Sequence, residues 1–406
     1  MKNIYKRIVA TLFLTSLWII LLSIFLAKDK EYSENENRYL TTKPDISIED
    51  IKSKKFMDTF ETYLNDQFPL RDKWTAFKTD IQRCLGKTDI NGVYLGSDGY
   101  LFEKWTQQDF NQKNLQQNIE SIKNFVQINS DKKGSILIVP TSSLLLQEKL
   151  PKNAPMFNQN IAFDMIQSSL GNDNQQINGI PSNTNCQLID IRPTLNAHKQ
   201  EYIYYKTDHH WTTFGAYLAY AEWKRQNESN TNNTDSSNMN LSNTDFFNPD
   251  LSDYNITLAA DDFKGSLYSK VLNRDAAFDE IYIYDKIQKP TYNVTYNLGK
   301  TQTDSVYESK RLQEKDKYQV FLNGNHPELT ISTNLNNGKH LLIFKDSFAN
   351  AFIPFLISDY ETIHVIDLRY FKGDLNDYIS QNNITEYLFL YNIKNFCEDT
   401  SIPMIR

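Results

Sequence analysis

The sequence predicts an α/β fold, a parallel sheet covered by helices on both faces, carried behind an N-terminal transmembrane helix. Three observations predict it. First, the closing residues alternate between strand-like and helix-like runs: "HLLIFKDS", "FANAFIPFLISDY", "TIHVIDLRYF", "LNDYISQNN" and "EYLFLYN". Strands that alternate with helices place the helices over both faces of a parallel sheet. Second, "SILIVP", residues 135–140, is short, continuously apolar and ended by proline, as a strand buried on both faces is. Third, "IVATLFLTSLWIILLSIFLA", residues 8–27, carries no charge. A helix of about 20 residues spans roughly 30 Å, the hydrocarbon thickness of a bilayer.

The elements follow in chain order. Lys2, Lys6 and Arg7 precede the apolar run, and Phe25 sits where a signal peptidase would need a small residue before a cut after Ala27. The run therefore reads as an uncleaved anchor. Lys28, Lys30, Arg38 and Lys43 follow it. The short, dense basic tail favours a cytoplasmic N-terminus, with the bulk of the chain at the cell membrane's outer side. Residues 28–90 form a linker and membrane-proximal helices. "KDKEYSENENRYLTTKPDIS" is polar and extended, and then Phe56, Phe60, Tyr63, Leu64, Trp74, Phe77, Ile81 and Leu85 recur at helical spacing. Residues 91–406 form the main domain. "VYLGSDGYLFE", 93–103, is a hairpin around a Ser-Asp-Gly turn. Residues 114–128 are an amphipathic helix. "QLIDI", 187–191, and "EYIYYK", 201–206, are strands, and Phe214, Tyr217, Leu218 and Ala221 share one helix face. "QNESNTNNTDSSNMNLSNT", 226–244, is low in complexity and builds no core. With the strand-rich stretch after it, it makes an insertion at about 226–335.

Composition excludes several function classes. The 406 residues are 40 % hydrophobic and 13 % aromatic, enough for one large domain with appendages. The net charge is −7 with no basic stripe, which argues against a nucleic-acid partner. Cys84, Cys186 and Cys397 are an odd, scattered set. They give neither a disulfide framework nor zinc spacing, and are expected to be buried thiols. No metal and no cofactor is expected. Adjacent histidines in a strand face opposite sides, and no HExxH-type spacing supplies further ligands.

The chemistry concentrates where strands end. Ligands of such sheets bind beyond the carboxyl ends of the strands. "YYKTDHH", "LLIFKDS" and "YLFLYN" all end in polar residues, so Asp208, His210, Ser347 and Asn392 are expected to converge on one crevice. A serine hydroxyl is a weak nucleophile until a base takes its proton. His210 is such a base, and Asp208 would fix its tautomer. Ser347 lies where a strand gives way to a helix, so first-turn N–H groups face a developing oxyanion. Asn392 could add a side-chain N–H. Each piece alone has a structural reading: "DS" before a helix is an ordinary N-cap, and a His–His pair is ordinarily structural. His198, His326, His340 and His364 read as ordinary loop or strand residues.

Together, "KTDHHWTTFGAYLAY", "FKDSFANAFIPFL" and "VIDLRYF" resemble the DHHW family of bacterial surface proteins, as do "FETYLNDQFPLRDKW" and "VYLGSDGYLFE" upstream. That family is similar to the alginate O-acetyltransferases, which are SGNH-hydrolase-like. The resemblance implies an SGNH-hydrolase-like three-layer fold with Ser347 as nucleophile and Asp208 and His210 as its relay. It leaves His209 facing away, and Trp211 either in the core or against substrate. Lys345 departs from the glycine usual two residues before such a serine. Because Asp208 and His210 precede Ser347, the fold would be circularly permuted. "FKDS", "VIDLR", "YLFLYN", "ILIVP" and "DHH" then serve as its first to final blocks, with Asn392 the oxyanion-hole residue of the third. Arg369 would bind an anionic substrate or pair with Asp367. The implied activity is O-acyl(acetyl) transfer to a surface polysaccharide or exopolysaccharide acceptor. A membrane-bound O-acyltransferase partner would supply the acyl group, and the lipid bilayer would hold residues 8–27. The same triad would serve a carbohydrate esterase or deacetylase, and a non-catalytic polysaccharide-assembly scaffold is the third reading.

Overall fold

Apolar runs that alternate between two faces need cover on both, and the main sheet is built from such runs. The computed structural model of the protein describes residues 2–33, 35, 38–171, 185–229 and 250–405. The chain divides into two units: Met1–Val93 with Ser266–Ala276, and Tyr94–Gly265 with Ala277–Arg406.

In the first unit a helix α1 covers Lys2–Leu26. Its stretch Ile4–Leu26 has a mean hydropathy of 2.5 and is long and apolar enough to cross a membrane. Two amphipathic helices follow where their spacing predicts them, α2 (Lys55–Asp66) and α3 (Arg71–Cys84). Thr79 of α3 donates to the Val271 carbonyl at 2.6 Å. Cys84 departs from expectation: it is exposed, whereas Cys186 and Cys397 are buried.

The second unit is the α/β body. The hairpin strands β1 (Val93–Leu95), whose first residue closes the first unit, and β2 (Leu101–Glu103) flank a turn closed by Gly96 N–H donating to the Tyr100 carbonyl at 2.8 Å. The large sheet contains β3 (Lys133–Val139), β4 (Cys186–Ile189), β7 (Tyr292–Tyr296), β8 (Thr301–Thr303), β9 (Glu328–Thr333), β10 (His340–Lys345), β11 (Thr362–Ile366) and β12 (Glu386–Asn392). Between β4 and β7 in the chain, β5 (Tyr254–Phe263) and β6 (Asp279–Lys286) pair antiparallel as a separate hairpin. The order in the large sheet is β8-β7-β9-β11-β10-β12-β3-β4.

The five strands from β11 to β4 are parallel, as the alternating pattern predicts. The sheet as a whole is mixed, because β9 pairs antiparallel with β11, and β7 with both β9 and β8. These three strands come from the stretch read as an insertion. Of these pairs only β7 and β8 are joined by a short turn, which permits only antiparallel pairing, whereas parallel neighbours need crossovers.

Opposite faces of the strands feed two cores. Leu341, Ile343, Leu388, Leu390, Leu137 and Val139 face one side, beneath helices α6 (Thr213–Ser229) and α7 (Ala349–Leu356). Leu342, Phe344, Phe389, Tyr391, Ile136 and Ile138 face the other. There they meet α4 (Gln112–Ile128), α5 (Gln159–Leu170) and α9 (Ile393–Glu398). A short helix α8 (Leu375–Gln381) joins β11 to β12. Residues 230–249, which hold most of the low-complexity stretch, lie outside the described residues; 226–229 complete α6.

Residues 201–206 form no strand. Only Tyr204 makes a bridge, to Trp211. The backbone N–H groups of Lys206 and Thr207 instead donate to the carboxylate of Asp279, each at 2.7 Å. A side-chain acceptor has replaced a neighbouring strand, and the backbone bends there.

Candidate active site

Registers in the parallel region decide where the site can form. Lys345 of β10 pairs with Leu390 of β12, and Asn392 pairs with Val139 of β3. The carboxyl ends of these strands therefore open at one sheet edge, where ligands of such sheets bind.

Ser347 stands two residues past β10, before α7. Its place is set by the buried Asp346, whose carboxylate accepts from Phe348 N–H at 2.9 Å, Asn392 N–H at 2.8 Å and the Asn395 side chain at 2.8 Å. Burial raises the pKa of Asp346, against the pull of these donors. Tyr318 donates its hydroxyl to the Ser347 carbonyl at 3.1 Å. Phe348 N–H is thus occupied, while the Ser347 N–H has no acceptor among the described residues. That leaves it as a donor for an anionic oxygen beside its own hydroxyl.

The bend at 206–211 brings the other two groups. Asp208 is 3 % exposed and His210 6 %. Asp208 Oδ1 lies 2.6 Å from His210 Nδ1 and also accepts the His210 backbone N–H at 3.0 Å. His210 Nε2 lies 2.7 Å from Ser347 Oγ. The chain Asp208–His210–Ser347 is therefore continuous across 139 residues of sequence, with the half-buried hydroxyl at its outer end. A carboxylate on Nδ1 fixes the tautomer that leaves Nε2 as the acceptor. Burial, and after it the neighbouring His209, hold the His210 pKa down at about 4; Asp208 pulls the other way. At neutral pH the ring is uncharged, the form a general base needs.

Several residues that the sequence did not single out hold this relay. The Tyr318 ring stacks on His210 with centroids 3.9 Å apart and planes 9° apart. The buried carboxylate of Asp279 accepts from Lys206 N–H, Thr207 N–H, the Thr207 hydroxyl and the Tyr202 hydroxyl. A side chain at Gly265 would put its Cβ 2.3 Å from the Cβ of Asp208, so only glycine lets that backbone approach. Asp279 opens a strand and Gly265 lies in a loop; neither position carries a local pattern that marks it.

The remaining predicted residues are placed as follows. Trp211 is fully buried, donates to the Phe348 carbonyl at 3.0 Å and stacks over Phe352. It belongs to the core and ties the bend to α7. Asn392 caps α9: its side-chain oxygen accepts from Lys394 N–H at 3.0 Å, and its Nδ2 donates to the Val139 carbonyl at 3.2 Å. Its backbone N–H, rather than its amide, serves the site, through Asp346. Arg369 makes a two-pronged pair with the buried Asp367 at 2.8 and 2.6 Å. His209 does not face away. It lies over His210 with centroids 3.9 Å apart, and its Nδ1 is 3.3 Å from Asp208. The reason is again the bend, which removes the strand alternation that would separate the two rings.

Lys345, the departure from the expected glycine, is 1 % exposed. Its ammonium donates to Asn325 at 2.6 Å and Asn350 at 2.7 Å, and lies 3.9 Å from Asp367. Burial lowers its pKa to about 8, with Asp367 pulling upward. Ligand atoms of Asp208, His209 and His210 lie within 4.8 Å of one another, close enough to share a metal ion. Both His210 nitrogens, however, already serve the relay. A metal bound there would have to break it.

Three comparisons place the chain among known proteins. Residues 163–366, half of the chain and inclusive of all three relay residues, match the family model described as DHHW protein. A DHHW family protein from Eubacterium siraeum has a similar structure: 22 % identity, TM-score 0.60, covering 78 % of this chain and 95 % of that one. Bacillus cereus PatB1 is similar at 21 % identity and TM-score 0.58, over 76 % of this chain and 97 % of its own. Its form with a sulfonyl adduct gives 19 % identity and TM-score 0.56, over 77 % and 98 %. Among curated proteins there is no significant sequence match.

Proposed function

The chain belongs to the DHHW family, and on that premise we propose that it is a serine-dependent O-acyltransferase acting on a surface polysaccharide. One observation carries the reading: His210 Nε2 within 2.7 Å of Ser347 Oγ while Nδ1 holds Asp208 at 2.6 Å. A nucleophile, its base and the group that orients the base lie in bonding reach of one another, which is what covalent acyl transfer requires.

The steps follow from that wiring. Ser347 Oγ attacks the acyl carbonyl of the donor as its proton passes to His210 Nε2. The carbonyl oxygen becomes an oxyanion opposite the Ser347 N–H. Asp208 stabilises the imidazolium, which its low pKa would otherwise disfavour. The tetrahedral intermediate collapses, the donor's leaving group takes the proton from Nε2, and an acyl–Ser347 ester remains. A sugar hydroxyl then attacks the ester, giving its proton to Nε2. The second collapse returns that proton to Ser347 Oγ and releases the acylated sugar. With water in place of the sugar the same sequence is hydrolysis, so the acceptor decides between transferase and esterase.

The apolar helix α1 supports a membrane-held enzyme, and the basic residues before it support placing the body outside the cytoplasm. An acyl donor would then reach it through a membrane-bound O-acyltransferase partner. The test is the acetyl content of the surface polysaccharide in cells carrying Ser347→Ala. Loss of acetyl groups at normal protein level is expected; unchanged content would overturn the reading. Purified protein given an acetyl ester with an oligosaccharide should yield acetylated sugar, and free acetate alone would make it an esterase.

A further inference from the structure

An apolar stripe runs along α3, and no described residue of its own unit covers it. Leu70, Trp74, Phe77, Ile81 and Leu85 recur at intervals of three and four and are 65, 54, 50, 44 and 80 % exposed. At about 100° per residue Trp74, Phe77 and Ile81 fall on one face of the helix, with Leu70 and Leu85 at its two ends. The opposite face packs inward through Ala76 and Thr79. Lys73 and Lys78 flank the stripe on either side by the same geometry. Exposed apolar residues in a continuous line, rimmed by cations, are the pattern of a helix that lies in a membrane interface.

What could cover this face is decided by where the chain comes from. α1 ends at Leu26, and four residues later Lys30 exchanges two hydrogen bonds with Gln67: Lys30 N–H to Oε1 at 2.9 Å and Nε2 to the Lys30 carbonyl at 3.0 Å. Tyr63 donates to Asp29 at 3.2 Å, and Asn35 to Asp72 at 2.6 Å. Four residues reach at most about 14 Å. The turn between α2 and α3, with Leu70 at its tip, is thus fastened beside the end of the span.

A basic groove of about 510 Å³ adjoins the stripe, lined by Arg38, Arg71, Lys78, Lys270, Ser266 and Ser269. Arg38 is paired with Asp66 there. With Thr75 also in the lining, four cations and three hydroxyls suit a phosphate-bearing anion.

Resting on the reading of α1 as a membrane anchor, we propose that α3 lies on the same bilayer. Its apolar stripe enters the acyl boundary, and the groove beside it takes the headgroup of an anionic phospholipid. Trp74 sits where tryptophan is enriched in interfaces.

The native exposed thiol of Cys84 lies on the edge of the stripe, while Cys186 and Cys397 are buried. It offers a reporter in the full-length chain. A nitroxide on Cys84, in nanodiscs of phosphatidylcholine with phosphatidylglycerol, should collide with oxygen several-fold more than with a water-soluble nickel chelate. Phe77→Glu should reverse that preference while the chain stays in the disc. Replacing Arg71, Lys78 and Lys270 with Gln should abolish the enhancement by phosphatidylglycerol over phosphatidylcholine alone. A label open to the nickel chelate in a chain that co-purifies with discs would overturn the surface contact and leave the anchor standing. A label shielded from both reagents would assign the stripe to a second copy of the chain and likewise overturn it. Failure to enter discs at all would bring down the anchor and this proposal together.

Discussion

Two buried polar clusters reach the segment around Ser347, one through His210 and one through Lys345, and they are wired differently. On one side, Asp208 and His210 form a line of bonds that ends at the Ser347 hydroxyl, half-buried at the crevice. On the other, Lys345 is enclosed by Asn325, Asn350 and Asp367, and Asp367 is closed off by Arg369. Both contain charges out of water. Only the first ends on an atom still able to react. The difference teaches that burial of charge alone does not mark a catalytic centre. A relay has a free end; a structural cluster closes on itself.

Substitutions can break or sharpen this contrast. Asp208→Asn should have the largest effect, a loss of about 10⁴-fold in kcat with little change in KM, because the wrong tautomer leaves Nε2 protonated. Steady-state kinetics on an acyl ester checks it, and a loss under tenfold would deny the relay. Asp279→Ala comes next. It deprives four donors of their acceptor and should destabilise the chain by roughly 3 kcal/mol in denaturant unfolding, with activity falling as the 206–211 bend loosens. Lys345→Met should be smallest: a stability loss of about 1–3 kcal/mol, with kcat within tenfold of the parent, since Arg369 still neutralises Asp367. If a folded Lys345→Met protein were inactive, the closed cluster would belong to the mechanism and the contrast would fail.

The same contrast explains what was legible in the sequence. Asp208, His210 and Ser347 stand in short local strings at the ends of recognisable apolar runs, and the parallel strands around them followed from the same runs. The supporting residues were not legible. Tyr318, Asp279 and Gly265 act through pairings with residues 57–108 positions away, and no local period encodes these. Asn392 was placed at the correct strand end, but the sequence could not show that its side chain is used to cap α9. Strand alternation predicts that His209 faces away, but Asp279 bends the chain there and brings it beside Asp208. The sequence reads β7 to β9 as part of an insertion, since their addition to the sheet edge is a long-range choice of register.

The central claim is that His210 activates Ser347, and covalent labelling at Ser347 tests it most directly. A serine-reactive fluorophosphonate should modify Ser347 with a rate that rises with pH through a midpoint near 4, where His210 loses its proton, and then stays level to neutrality. In His210→Ala the rate should fall by orders of magnitude. Labelling of equal speed in the two proteins, or none at Ser347 in the parent, would contradict the account.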